Sequence, residues 1–215
     1  MKVNEYINKC KSYIGTKEGS NKHKQIVKLY NNITPLPQGY KLKITDSWCA
    51  GFVSAMAYLA SGGSDTSFPY ECSCNRMINL AKSKKIWIED DSVTPSVGWL
   101  VMYDWGDNGK GDNTGSADHV GIVYKVNKKT FEVIEGNKSD AVGIRKLNID
   151  GKYIRGFIAV KYDNEDTSTN SNITDIAKEV IKGLWGNGAT RKKKIENAGY
   201  NYSDIQKEVN RILKS

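Results

Sequence analysis

Apolar residues recur at Val3, Tyr6, Ile7, Cys10 and Ile14, close to a 3.6-residue period, so the chain opens on a helix that Gly15 ends. A second short helix is predicted from His23 to Tyr30, and Pro35 and Pro37 mark the loop after it. From Cys49 to Ala60 the chain is rich in Ala, Met, Leu and Phe. That stretch predicts a helix capped by Asp46 or Ser47 and stopped by Gly62-Gly63. Another helix is expected over Asn75–Ser83.

The pattern then changes. Val97–Trp105, Val120–Val126, Phe131–Glu135, Gly143–Leu147 and Ile154–Tyr162 are short runs of β-branched and aromatic residues. Asn127-Lys128-Lys129, Asn137-Lys138 and Asp150-Gly151-Lys152 separate them as turns. Helices first and antiparallel strands afterwards predict an α+β fold. From Asp163 to Ile173 polar residues take over, which predicts a linker. Helical periodicity returns at Ile176, Val180 and Leu184, then at Ile205, Val209 and Ile212. The expected organisation is therefore a first domain over 1–162, a linker over 163–173 and a small helical domain over 174–215.

Charge narrows the partners. The 215 residues carry a net charge of +8, which favours anionic surfaces such as nucleic acid, anionic lipid or an acidic wall polymer. No zinc-finger spacing or aromatic RNA-binding motif is present, so no nucleic-acid partner is expected. No apolar run is long enough to cross a bilayer, so no membrane insertion is expected. The stretch from Met1 to Lys28 has no apolar core that could serve as a secretory signal, so synthesis in the cytosol is expected. The four cysteines, Cys10, Cys49, Cys72 and Cys74, form no CxxC pair. Cys10, Cys72 and Cys74 are expected to be plain thiols, with no metal and no cofactor.

Cys49 and His119 carry the chemistry. Cys49 is predicted in the first turn of its helix, where unpaired N–H groups and the helix dipole favour a thiolate. A thiolate needs a base that later protonates the leaving amine. Of the two histidines, His23 lies between lysines and is expected to be exposed, whereas His119 opens an apolar strand. Glu135, on the neighbouring strand, is placed to accept from the second ring nitrogen. Asn137, on the same strand face by period-two alternation, is placed to donate to an oxyanion or steady the ring.

These segments, WCAGFVSA around Cys49, ADHVGIVYKV around His119 and FEVIEGN ending at Asn137, resemble the CHAP family of cysteine, histidine-dependent amidohydrolases/peptidases. The resemblance covers roughly Lys2 to Tyr162. It implies a papain-like fold, peptidoglycan as substrate, and hydrolysis of either the sugar–peptide amide or a bond in the peptide stem or bridge. It implies Cys49 as nucleophile, His119 as base and acid, and Glu135 and Asn137 completing the site, with Trp48 beside the substrate. Some members carry an Asp-rich calcium loop before the cysteine. Here Gly39 to Asp46 has one carboxylate and two lysines, so no calcium is expected. The loop Asp104–Asp118 is expected to be a turn-rich rim of the cleft.

At the other end, WGNG at 185–188, Arg191, AGYNY at 198–202 and Val209-Asn210 resemble the short cell-wall-binding repeat of some phage lysozymes. That resemblance implies a three-helix bundle that binds muropeptide through Asp175, Asn187, Gly188 and Arg191. Together the two resemblances imply a modular cell-wall lytic enzyme, and the absent signal suggests an endolysin of phage or prophage type; Lys192-Lys193-Lys194 reads first as a solvated face and second as an attraction to anionic wall polymers. Two other readings stay open: a wall-binding protein with an inactive papain-like domain, and a thiol peptidase acting on proteins.

Overall fold

The computed structural model describes residues 1–107, 115–163, 168–197 and 200–214, except the side chains of 168–172 and 197. The chain divides into two compact units, Met1–Asp163 and Asn164–Ser215.

The first unit begins with four helices, α1 (Val3–Ser12), α2 (Asn21–Asn31), α3 (Cys49–Ala60) and α4 (Cys74–Ser83), with a 3₁₀ turn at Pro37–Gly39 between α2 and α3. Six strands follow: β1 (Trp87–Ile88), β2 (Leu100–Tyr103), β3 (His119–Val126), β4 (Thr130–Glu135), β5 (Gly143–Asn148) and β6 (Ile154–Ile158). They form one antiparallel sheet in the order β1-β6-β2-β3-β4-β5. The fold is α+β, as the sequence pattern predicts.

Alternation sorts the strand residues onto two faces. Leu100, Met102, Val120, Ile122, Ile134 and Ile158 join the main core with the helices. Val101, Tyr103, Val123, Val133 and Phe157 belong to a second cluster on the other face. With both faces covered, the central strands are apolar almost throughout, whereas edge strand β5 alternates half-buried with exposed residues. Helix α3 is apolar on all sides and buried from Cys49 to Ala57, which makes it the hub of the main core. Its approach to the sheet is close: a Cβ on Gly136, just past β4, would lie 2.5 Å from Phe52 Cβ.

Two expectations change here. The cap of α3 is Trp48, which makes no side-chain cap hydrogen bond, and Asp46 instead accepts from Tyr40 Oη and Lys43 N, both at 2.8 Å. His23 is fully buried rather than exposed. Its Nδ1 accepts from Gly19 N at 3.0 Å and its ring lies 4.6 Å from that of Trp48.

The second unit has three helices, α5 (Ser168–Ile181), α6 (Gly188–Asn197) and α7 (Tyr202–Ile212). Helix α5 therefore takes up six residues of the stretch expected to be linker, while 164–167 lie outside the described residues. Ala177, Val180, Ile195, Ile205 and Val209 are the core, with Trp185, Tyr200 and Tyr202 packed around it. Asn201 caps α7 by accepting from Ser203 N at 2.8 Å.

Candidate active site

The site lies where the first turn of α3 meets one end of the sheet. Tyr103 closes β2, His119 opens β3 and Glu135 closes β4, so antiparallel pairing gathers all three at the same end. Arg145, near the start of β5, extends the row to a fourth strand.

Glu135 is fully buried, and each oxygen is engaged twice. Oε1 accepts from Tyr103 Oη at 2.6 Å and from Arg145 Nε at 2.7 Å. Oε2 accepts from Arg145 Nη2 at 3.0 Å and lies 3.2 Å from His119 Nε2. Burial alone would raise the pKa of Glu135, but the bonds to His119, Arg145 and Tyr103 hold it below the usual range. Gly121 leaves room for this arrangement. It pairs with Glu135, and a Cβ there would stand 2.7 Å from Glu135 Cγ and 2.4 Å from Val133 Cγ1.

His119 is 8% exposed. Burial pulls its pKa down, but bonds and charge from Cys49 and Glu135 outweigh that and push it up to about 9. With Nε2 held by Glu135, Nδ1 is the ring nitrogen left for the thiol. Trp105 lies over this assembly. It stacks on Tyr103 at 4.8 Å, sits 5.9 Å from the His119 ring and 5.1 Å from the Arg145 guanidinium, yet is 41% exposed.

Cys49 is the first residue of α3 and almost completely buried. Its thiol is held well below the usual range, first by a hydrogen bond from Cys74, against burial, and then by His119 and the Ala50 N–H. Cys74 is the first residue of α4, and the two sulfurs are 3.8 Å apart. The structure sets Cys49, His119 and Glu135 at one site and adds Tyr103, Arg145 and Cys74, which sequence reasoning missed. Cys74 is a free thiol, set beside the Cys49 sulfur. The only sequence signal for it was its place at the start of a predicted helix.

Two expected residues sit differently. Asn137 lies beyond the end of β4 with a φ of 56°, so strand alternation does not reach it. Among the described residues its amide makes no hydrogen bond to Cys49, His119 or Glu135. Trp48 is fully buried, with Nε1 donating to Glu18 Oε2 at 2.9 Å, so its indole has no surface to offer a ligand. The middle of the loop expected to rim the cleft, 108–114, lies outside the described residues. Among the described residues, no group of three His, Cys, Asp or Glu side chains could hold a metal, and no helix is long and apolar enough to cross a membrane.

In the second unit, Arg191 folds back on the turn before α6. Its Nε donates to Gly186 O and its Nη2 to Asn187 Oδ1, both at 2.9 Å. Gly188 opens α6 with a φ of 54°, a conformation that favours glycine. Asp175 is exposed on α5, with Lys178 Nζ 3.9 Å away.

An α+β core that sets a buried thiol at a helix start against a histidine–carboxylate pair on a sheet defines the class. Two family models match: CHAP domain over residues 39–137 and CW_7 repeat over residues 174–213. The CHAP match thus lies within the first unit and the CW_7 match within the second. The chain is also 39% identical over 62 residues to a protein named lysozyme from Streptococcus phage Cp-7. That alignment covers 27% of this chain and 18% of the phage protein, so the chain spans under a fifth of that relative's length.

Proposed function

We propose that this protein is a peptidoglycan hydrolase of endolysin type, which cleaves an amide by thiol acyl transfer and is held on the wall by its C-terminal repeat. The observation that carries the reading is the Cys49–His119–Glu135 arrangement, with the thiol lowered and the imidazole raised so that both are charged. The CHAP and CW_7 matches and the phage relative supply the substrate class.

In this reading, the Cys49 thiolate attacks the carbonyl carbon of the scissile amide. In the first turn of α3 the N–H groups before Phe52, whose N donates to Trp48 O at 2.7 Å, have no partner within the helix. They are suited to the oxyanion of the tetrahedral intermediate. His119 gives its proton to the leaving nitrogen and the C–N bond breaks, which leaves a thioester on Cys49. His119 then takes a proton from water, the hydroxide attacks the thioester, and the acid leaves. Glu135 fixes the ring, as the orienting carboxylate of a triad does, and Arg145 and Tyr103 fix Glu135. Asn137 remains a candidate for the oxyanion or the ring through its position after Glu135. The bond class is an N-acetylmuramoyl-L-alanine amide or a peptide bond of stem or bridge.

The test is turbidity loss of a susceptible wall suspension, with mass spectrometry of the released fragments to read the new termini. Cys49→Ala abolishes lysis and still pellets with wall. Lysis by that variant sinks the nucleophile assignment, and cleavage of casein but not of wall moves the substrate to proteins.

A further inference from the structure

The two sulfurs at the site have a relationship that hydrolysis does not use. Cys49 and Cys74 each occupy the first position of a helix, and neither helix has a side-chain cap at its N-terminus. The starts of two helices, each without a side-chain cap, therefore lie beside one pair of sulfurs 3.8 Å apart. A disulfide needs about 2.05 Å between sulfurs. Closing the gap takes movement on the order of 2 Å, within reach of side-chain rotation at two residues that head their helices.

We propose that Cys49 and Cys74 form an oxidisable pair, in which a hydroperoxide converts the nucleophile reversibly into a Cys49–Cys74 disulfide. This rests on the reading of Cys49 as the nucleophile for its effect on activity, but not for its chemistry. The Cys49 thiolate attacks the O–O bond of the hydroperoxide, giving Cys49–SOH and an alkoxide or hydroxide that takes up a proton. The Cys74 sulfur then attacks the sulfenic sulfur. The S–O bond breaks, the S–S bond forms, and the oxygen leaves as water with the Cys74 proton and one other. Two equivalents of an external thiol return both cysteines and leave as their own disulfide.

The roles follow from the resting state. The Cys49 thiolate, with burial, keeps Cys74 protonated, so Cys74 is the S–H donor of the pair. Oxidation of Cys49 to the neutral sulfenic acid removes that negative charge. The helix start that favours an anion at Cys74 then works against burial and Asp118 but no longer against the Cys49 charge, and the second thiol becomes the attacker. Cys72 is the competing thiol two residues away. It is half-buried, and burial raises the pKa of its thiol, whereas the sulfur in contact with Cys49 is that of Cys74.

The experiment uses the full chain freed of reductant and exposed to hydrogen peroxide, with activity on wall scaled to each variant's own untreated rate. Wild type is expected to lose more than nine-tenths of its activity and to regain most of it with dithiothreitol. Two of its thiols disappear, and chymotryptic mapping places a 2 Da loss on linked Cys49 and Cys74 peptides. Cys74→Ser, which keeps an O–H donor, is expected to lose activity permanently, with 32 Da added at Cys49 as sulfinic acid. Cys72→Ser is expected to follow wild type. A crosslink to Cys72, full recovery of Cys74→Ser, or a wild type that ends as the sulfinate overturns the proposal. Thiol counting and mapping do not depend on lysis, so they judge the pair even if Cys49→Ala proves lytic. They need only the wild-type chain, so they stand if Cys74→Ser fails to fold.

Discussion

Arg145 forks onto Glu135, with Nε 2.7 Å from one carboxylate oxygen and Nη2 3.0 Å from the other. Both donors come from the edge strand, and Arg145 itself lies against the faces of Tyr103 and Trp105. The side chain that orients the histidine is therefore oriented in turn by a planar group that only arginine supplies.

Replacing Arg145 with Met leaves a buried carboxylate without its counter-charge, at a cost of roughly 1–3 kcal/mol. If that loss falls on the transition state, activity drops by about 10- to 100-fold, since each ~1.4 kcal/mol is tenfold. Arg145→Lys keeps the charge but not the fork and recovers part of it. The alkaline limb of the pH profile should also move up in Arg145→Met, because the imidazolium becomes the counter-charge of the buried Glu135 and loses a like-charged neighbour. An activity loss with that limb unmoved would mean that Arg145 acts on stability alone.

The charged pair predicts the shape of the pH dependence. Activity requires the Cys49 thiolate and the His119 imidazolium together. It rises as the pH passes through the lowered Cys49 value and falls as the pH passes through about 9, where His119 loses its proton. Because the groups interact, each limb belongs to the pair. Alkylation of Cys49 by iodoacetamide, followed from pH 4 to 10, reads this without substrate. A single rise centred near the ordinary thiol value would rule the ion pair out.

Gly121→Ala tests the space that Glu135 occupies. The new methyl would meet Glu135 Cγ at 2.7 Å and the Ile134 carbonyl oxygen at 3.0 Å, and backbone cannot swing away as a side-chain tip can. Overpacking of this kind costs roughly 1–3 kcal/mol. Thermal melting should fall by about 2–12 °C, at roughly 2–4 °C per kcal/mol for a domain of this size. Residual folded protein should be slower on wall. An unchanged melting temperature and rate would show that the sheet absorbs the methyl freely.

Arg191→Ala is expected to weaken wall binding by roughly tenfold, the equivalent of one hydrogen bond to a charged group, about 1.5 kcal/mol. Two of its N–H groups hold the Gly186–Asn187 turn, so the loss combines a loosened turn with a missing contact. Pelleting with intact wall, done in the Cys49→Ala background to prevent digestion, measures it. The rate on soluble muropeptide in the otherwise wild-type chain should not change; a fall there would contradict a role confined to wall binding.

The parts of this protein that were legible in its sequence are those set by local period. Helix α3 runs over the residues the composition marked, and the hairpin of β3 and β4 follows from alternation and the turn at 127–129. What stayed hidden is non-local. Strand β1 has two residues, too few to show a period. Tyr103 and Arg145 meet Glu135 only through sheet register, and Cys74 meets Cys49 only because two helix starts converge. His23 was legible after all. Its lysine neighbours suggest solvent, but His23, Ile26, Val27 and Tyr30 are the buried stripe of α2, spaced by three, four and seven.

The row Tyr103, His119, Glu135 and Arg145 comes from one stretch of meandering strands, whereas the sulfur it serves comes from a helix made far earlier on the ribosome. Seventy residues separate Cys49 from His119. Throughout that interval of synthesis the sulfur lacks the His119 imidazole that would exchange protons with a leaving group or water. A nascent or truncated chain thus lacks the acid–base half of its site until the late hairpin docks.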